Sequence, residues 1–281
     1  MLTRPDAPAG RGRRVRSSPV AEAAREAGVP VLQPRRLRDE GALDELRALE
    51  PDCCPVVAYG QLVPRDALDV PPHGWVNLHF SLLPAWRGAA PVQHAVLAGD
   101  DVTGATTFLL EEGLDTGPVL GTLTEAVRPR DTSGDLLGRL AVSGAELLEA
   151  TLDGLADGRL EARPQPDDGV SLAPKVEPED ARLDWTHPAV AVDRRARACT
   201  PAPGPWTTWR GRRLKLTVPP EPAAGPALEP GELRRDDGRL LVGTATTPLR
   251  LVEVQPEGRA RTDASAWANG AQPGPDERLG G

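Results

Sequence analysis

Apolar positions follow two regimes along this chain. Up to Asp157-Gly158 they switch between helical spacing and short apolar runs. Ser18-Pro19 opens a helix over 20–27 that Gly28 stops, the order expected of an N-cap, a first-turn proline and a C-terminal glycine. Val29-Pro30-Val31-Leu32 is apolar, but Pro30 confines it to a sheet edge at most. Residues 38–49 read as a helix with Leu43, Leu46 and Leu49 on one side. Val56-Val57-Ala58-Tyr59, ended by Gly60, reads as a buried strand, and 75–80 as a second. A helix over 91–98 follows, then strands over 105–110 and 119–126. The longest helix starts at Thr132 or Ser133 and carries Leu136, Leu137, Leu140, Leu147, Leu148, Leu152 and Leu155 near helical spacing. Strands alternating with helices predict an α/β domain with a largely parallel sheet.

The second regime begins at Pro164, Pro166, Pro174 and Pro178, which mark a linker. Beyond it lie one short helix, 190–198, and strands over 207–210, 214–218, 240–242 and 249–254, punctuated by glycine and proline as in a small β-barrel. The expected domains are 1–170 and 189–281, joined by 171–188, which suits a chain of 281 residues. With 39% hydrophobic and 26% charged residues the chain reads as globular. No apolar stretch is long enough to span a bilayer, and the first residues do not read as a signal peptide. Cys53, Cys54 and Cys199 suggest neither a zinc site nor a disulfide framework, so a cytoplasmic location is expected. The 33 Lys+Arg against 41 Asp+Glu leave a net charge of −8. Yet Arg11, Arg13, Arg14 and Arg16 are bunched, as are Arg194, Arg195 and Arg197, and Arg210, Arg212, Arg213 and Lys215. Such strips can grip a polyanion locally, because screening cuts off the distant acidic charge, or can be plain solvated surface.

Asn77 and His79 are two apart on a predicted strand and share a face, with Leu78 and Phe80 on the other. Ser81-Leu82-Leu83-Pro84 then turns the chain at the strand's carboxyl end, where open α/β sheets bind ligands. An amide beside an imidazole suits stabilisation of an oxyanion. The same spacing suits a core histidine with a turn-forming asparagine. Asp115, between Gly113 and Gly117, is either an ordinary turn aspartate or a partner that charges or orients His79. Arg87-Gly88 could clamp an anion or start the next helix. His73, His94 and His187 show no metal-ligand arrangement, and no glycine-rich loop indicates a dinucleotide or ATP.

The run Asn77-Leu78-His79-Phe80-Ser81-Leu82-Leu83-Pro84, followed by Ala85-Trp86-Arg87-Gly88-Ala89-Ala90-Pro91, resembles the signature of the folate-dependent formyltransferases. Its Trp-Arg-Gly-Ala-Ala-Pro variant is most similar to the branch acting on methionyl-tRNA. Gly113-Leu114-Asp115-Thr116-Gly117 matches the second motif of that family, and Val57-Ala58-Tyr59-Gly60 resembles its folate-side loop. Pro8-Ala9-Gly10-Arg11-Gly12-Arg13-Arg14 looks like the basic loop used on the tRNA acceptor end. The resemblance runs on through Asp131-Thr132-Ser133-Gly134, Ala181-Arg182-Leu183-Asp184-Trp185 and the β-rich tail.

That resemblance implies a Rossmann-like catalytic domain and an OB-like C-terminal barrel that helps hold tRNA. It implies catalytic roles for Asn77, His79 and Asp115, and folate contacts from Tyr59, Gly60, Ser81, Leu82, Leu83 and Pro84. Arg11 would meet acceptor-stem phosphate or base, with Arg13 and Arg14 on phosphates. The formyl donor would be 10-formyltetrahydrofolate and the acceptor initiator methionyl-tRNA, with no metal needed, no membrane or protein partner, and a monomer by default. Phe80 departs from the small residue common in relatives. The family also places a strand, a helix and a second strand ahead of the basic loop, so this start is expected to be truncated, with Met1 inside the second strand. The alternatives are a catalytically impaired remnant that only binds tRNA, and a formyltransferase acting on a sugar-nucleotide or other small amine.

Overall fold

The computed structural model describes residues 1–9, 14–39 and 41–281. Strands β1 (Ala7–Ala9) and β2 (Arg14–Arg16) pair antiparallel. Helix α1 (Pro19–Glu26) forms where predicted: the Ser18 hydroxyl accepts the Ala21 N–H at 3.2 Å, a proline sits in the first turn, and Gly28 takes a φ of +70°. The expected helix over 38–49 starts later, as α2 (Ala42–Ala48), because Gly41 adopts a left-handed φ of +82° that interrupts it. Its apolar side is correspondingly narrower. Leu46 is buried, whereas Leu49 follows the last turn and is exposed.

Strand β3 (Cys54–Val57), helix α3 (Arg65–Leu68) and strand β4 (Trp75–His79) come next, then α4 (Pro91–Ala98), β5 (Val102–Leu109) and β6 (Val119–Ala126). The long helix α5 (Ser133–Ala156) begins with a reciprocal cap. The Thr132 hydroxyl accepts the Asp135 N–H at 3.1 Å, and the Asp135 carboxylate accepts the Thr132 N–H at 3.0 Å. Leu136 and Leu140 are buried along it, while Leu137, about 100° round the helix from Leu136, is exposed rather than on the apolar face.

The remaining elements are α6 (Ala189–Ala198), β7 (Trp206–Trp209), β8 (Arg212–Leu216), β9 (Glu221–Pro222), β10 (Leu233–Asp236), β11 (Arg239–Val242), β12 (Leu249–Leu251), β13 (Glu253–Pro256), β14 (Thr262–Asp263) and α7 (Ala264–Ala271). The strand expected over 249–254 is two strands. Its halves join different sheets, so a single apolar run covers a change of sheet at Val252.

Two units divide the chain: Met1–His79 with Thr106–Thr122 and Glu146–Asp167, and Phe80–Ala105 with Leu123–Ala145 and Asp168–Gly281. In the first lie β3, β4 and the stretches 106–109 of β5 and 119–122 of β6, in the sheet order β3-β4-β5-β6. β3 and β4 are parallel, from Cys54 opposite Trp75 to Val57 opposite Leu78. β4 and β5 are antiparallel, from Val76 opposite Leu109 to His79 opposite Thr106. Leu37, Leu46, Val56, Ala67 and Trp75 form an apolar cluster there, and the Trp75 indole donates to the Ala67 carbonyl at 2.7 Å.

In the second unit the strands after α6 form two four-stranded antiparallel sheets, β10-β11-β12-β9 and β14-β13-β8-β7. Their core takes Leu183, Trp185, Leu214, Leu240, Leu249, Leu251 and Val254, with Val192 and Ala196 from α6 and Ala264 and Ala268 from α7. The buried Trp185 indole is satisfied by the Thr207 hydroxyl at 2.9 Å. Among the described residues, no helix is long and apolar enough to cross a membrane.

Candidate active site

The sheet of the first unit fixes Asn77 and His79 by pairing β4 on both flanks. Backbone hydrogen bonding on two sides leaves little freedom for the side chains it carries. His79 is 6% exposed and lies opposite the fully buried Thr106. Its ring meets Phe108 edge-on, with centroids 6.3 Å apart at 86°. Phe108, fully buried, lies opposite Asn77 on β5. Asn77 is only partly buried.

Asp115 arrives from the turn after β5. Its Oδ2 lies 3.7 Å from His79 Nδ1, with 13% of its side chain exposed. That is ion-pair reach once the imidazole is protonated, but longer than a direct hydrogen bond. The turn needs both its glycines. A Cβ on Gly117 would fall 1.8 Å from the Leu109 carbonyl oxygen, and one on Gly113 would fall 1.9 Å from the Thr116 hydroxyl. Asp115 itself has a left-handed φ of +50°, which aspartate tolerates better than most residues. Leu109 N–H closes the turn on the Pro118 carbonyl at 3.0 Å, and Thr116 Oγ1 donates to Glu111 Oε1 at 2.5 Å. The structure therefore joins His79 to Asp115, with Asn77 two residues back on the same strand.

Tyr59 and Gly60 also belong to the first unit, in the loop after β3, where Ala58 and Gly60 take φ values of +48° and +73°. Tyr59 Oη is buried without a hydrogen-bond partner among the described residues, and burial pushes its pKa up. Gln61 Oε1 is orphaned in the same way. Sequence reasoning stopped at Gly60 and missed Gln61, a polar residue inside an otherwise apolar run. Buried polar atoms without a protein partner are uncommon, and this loop holds two.

Ser81, Leu82, Leu83 and Pro84 lie in the second unit. Ser81 is fully buried and its hydroxyl donates to the Ala85 carbonyl at 2.6 Å, while Leu83 and Pro84 are buried and joined by a cis peptide. The following Trp86-Arg87-Gly88 is laced to residues 171–173. Arg87 N–H donates to the Ser171 carbonyl at 2.9 Å, and Ala173 N–H to the Arg87 carbonyl at 2.7 Å. The Trp86 indole donates to Asp100 at 2.8 Å and stacks on His94, whose ring nitrogen meets the Pro174 carbonyl at 3.0 Å. Of the basic loop, Arg11 and Arg13 lie outside the described residues, and Arg14 begins β2.

Comparisons with known proteins converge. Residues 1–152 match the model of the family described as formyl transferase, and residues 175–272 that of the formyl transferase C-terminal domain. The methionyl-tRNA formyltransferase of Parafrankia sp. (strain EAN1pec) is 63% identical over 279 residues, covering 99% of this chain and 90% of the relative. That of Salinispora arenicola (strain CNS-205) is 65% identical over 272 residues, covering 97% and 88%. Among solved structures, HypX from Aquifex aeolicus in complex with tetrahydrofolic acid superposes with a TM-score of 0.64 at 18% identity, covering 88% of this chain and 43% of that one. At that identity the match speaks for the fold alone.

Proposed function

The chain belongs to the formyl transferase family, and we propose that it transfers the formyl group of 10-formyltetrahydrofolate to the free α-amine of initiator methionyl-tRNA. The product is N-formylmethionyl-tRNA for translation initiation, made in the cytoplasm. The observation that carries the reading is the His79–Asp115 pair at 3.7 Å, with Asn77 two residues before His79 on β4.

The chemistry asks for what these groups offer. The amine nitrogen bonds to the formyl carbon, and the bond from that carbon to folate N10 breaks with its electron pair staying on N10. The amine gives up a proton and N10 takes one. Negative charge develops on the formyl oxygen in between. Asn77 donates one hydrogen bond to it, and His79, charged beside Asp115, donates a second. His79 or Asp115 relays the proton. Tyr59, Gly60, Ser81, Leu82, Leu83 and Pro84 are assigned to folate, a fit supported by the orphaned Tyr59 Oη and Gln61 Oε1. Arg11, Arg13 and Arg14 are assigned to the tRNA acceptor end, and the two C-terminal sheets to an OB-like barrel that helps hold tRNA.

The test is formylation of charged initiator methionyl-tRNA with 10-formyltetrahydrofolate by this chain. Product that disappears in Asn77→Ala and His79→Ala supports the reading. Salt-sensitive tRNA binding without product in the parent chain would overturn it in favour of a protein that only binds tRNA.

A further inference from the structure

The prolines that read as a linker in the sequence deliver a side chain to the candidate site. Arg163 exchanges both backbone hydrogen bonds with Val119, at 2.7 and 2.8 Å, which lays its segment against the start of β6. Pro164 and Pro166 flank Gln165. Proline fixes its own φ and pushes the preceding residue towards extended backbone, so Arg163 and Gln165 are both restrained before any tertiary contact forms. From there the Gln165 amide nitrogen donates to the Asp115 carbonyl and to the Gly117 carbonyl, each at 2.8 Å. Both partners are carbonyl oxygens, so only the amide nitrogen fits, and these two bonds use both of its hydrogens.

We propose that Gln165 is a positioning residue for the reaction, its amide clamping the 113–117 turn from both sides of Thr116 so that the Asp115 carboxylate stays within reach of His79 Nδ1. The turn has need of such a clamp. Its aspartate sits at a left-handed φ, which aspartate tolerates but at some cost, so outside contacts help to hold it there. The local contacts act at Thr116 and at the turn's closure, whereas the Gln165 amide grips it from 48–50 residues away. Gln165 touches no reacting atom and acts through Asp115.

The proposal rests on His79 and Asp115 being the catalytic pair, and its test has one arm that does not. Gln165→Leu removes the donors at similar volume, and Gln165→Glu puts acceptor oxygens against two carbonyls. In either variant kcat should fall roughly 10–100-fold, the effect of misplacing a catalytic group by about 1 Å, with KM for both substrates within about threefold. In an Asp115→Asn background the same substitution should add less than about threefold, because the carboxylate it positions is gone. Amide hydrogen exchange is the arm independent of activity: residues 114–117 should exchange faster in Gln165→Leu, with β4 unchanged. A kcat within about twofold of the parent, or an undiminished loss in the Asp115→Asn background, would overturn the proposal. Should the parent chain itself transfer no formyl group, the exchange experiment decides alone, and unaltered exchange at 114–117 would overturn the clamp.

Discussion

His79 and Asp115 meet from segments held by opposite means. β4 is bonded along both edges, parallel to β3 and antiparallel to β5, and its residues sit between buried neighbours. The turn carrying Asp115 is largely exposed from Glu111 to Leu114, and the ties seen on it are individual ones, among them a closing backbone bond, a hydroxyl on a carboxylate and the Gln165 amide. A strand spreads the load over a ladder of bonds and over its core. A turn concentrates it on a few atoms. Damage to the strand's surroundings should therefore cost stability first, while damage to the turn should cost rate and leave the fold standing.

The sharpest way to break that contrast is Phe108→Ala. Phe108 is fully buried on β5 and supports the His79 ring edge-on. Truncating it should destabilise the chain by about 3–5 kcal/mol in denaturant unfolding. A loss below about 1 kcal/mol would mean that the sheet is not what holds His79. Next comes His79→Ala, which removes the group and leaves the ladder. It should cost about 3–4 kcal/mol of barrier, roughly 100–1,000-fold in kcat, with an unfolding midpoint near that of the parent. Asn77→Ala should lose a similar factor. On the turn, Gly117→Ala forces a Cβ to within 1.8 Å of the Leu109 carbonyl, so backbone must move. The expected result is a kcat loss of roughly 10–100-fold with a stability loss of only about 1–3 kcal/mol. A stability loss as large as that of Phe108→Ala would show the turn to be part of the core.

The same contrast explains what could be read from the sequence. Asn77 and His79 were legible because period-two alternation is local: a short run tells which residues share a face, and the structure keeps that face. The caps at Ser18 and Thr132 were legible for the same reason, since each is made by residues three apart. Asp115 was visible as a turn between glycines, but its meeting with His79 depends on β5 returning antiparallel to β4, which no local pattern states. Gln165 was hidden altogether, because the prolines around it speak for a linker and its partners lie 48–50 residues away. Leu49 and Leu137 fit helical spacing in the sequence yet are exposed, one because its helix has ended and one because it sits a residue off the buried row. The split at Val252 escaped because a strand that changes sheets keeps the same composition on either side.

The smallest expected effect separates local from long-range support within the turn. Thr116 Oγ1 donates to Glu111 Oε1 at 2.5 Å, across an exposed stretch where water competes for both groups. Thr116→Val keeps the shape over Gly113, where a Cβ would have stood 1.9 Å from the hydroxyl, and removes only the hydrogen bond. An exposed bond of this kind contributes about 0.5 kcal/mol or less, so the unfolding midpoint should barely move and kcat should stay within about threefold. Measured beside Gln165→Leu, the variant ranks the two ties directly. If Thr116→Val costs as much rate as Gln165→Leu, the turn is shaped by its own residues and the distant amide is incidental. If it costs little while Gln165→Leu costs much, the Asp115 carboxylate is held from outside the turn, by a side chain between two prolines.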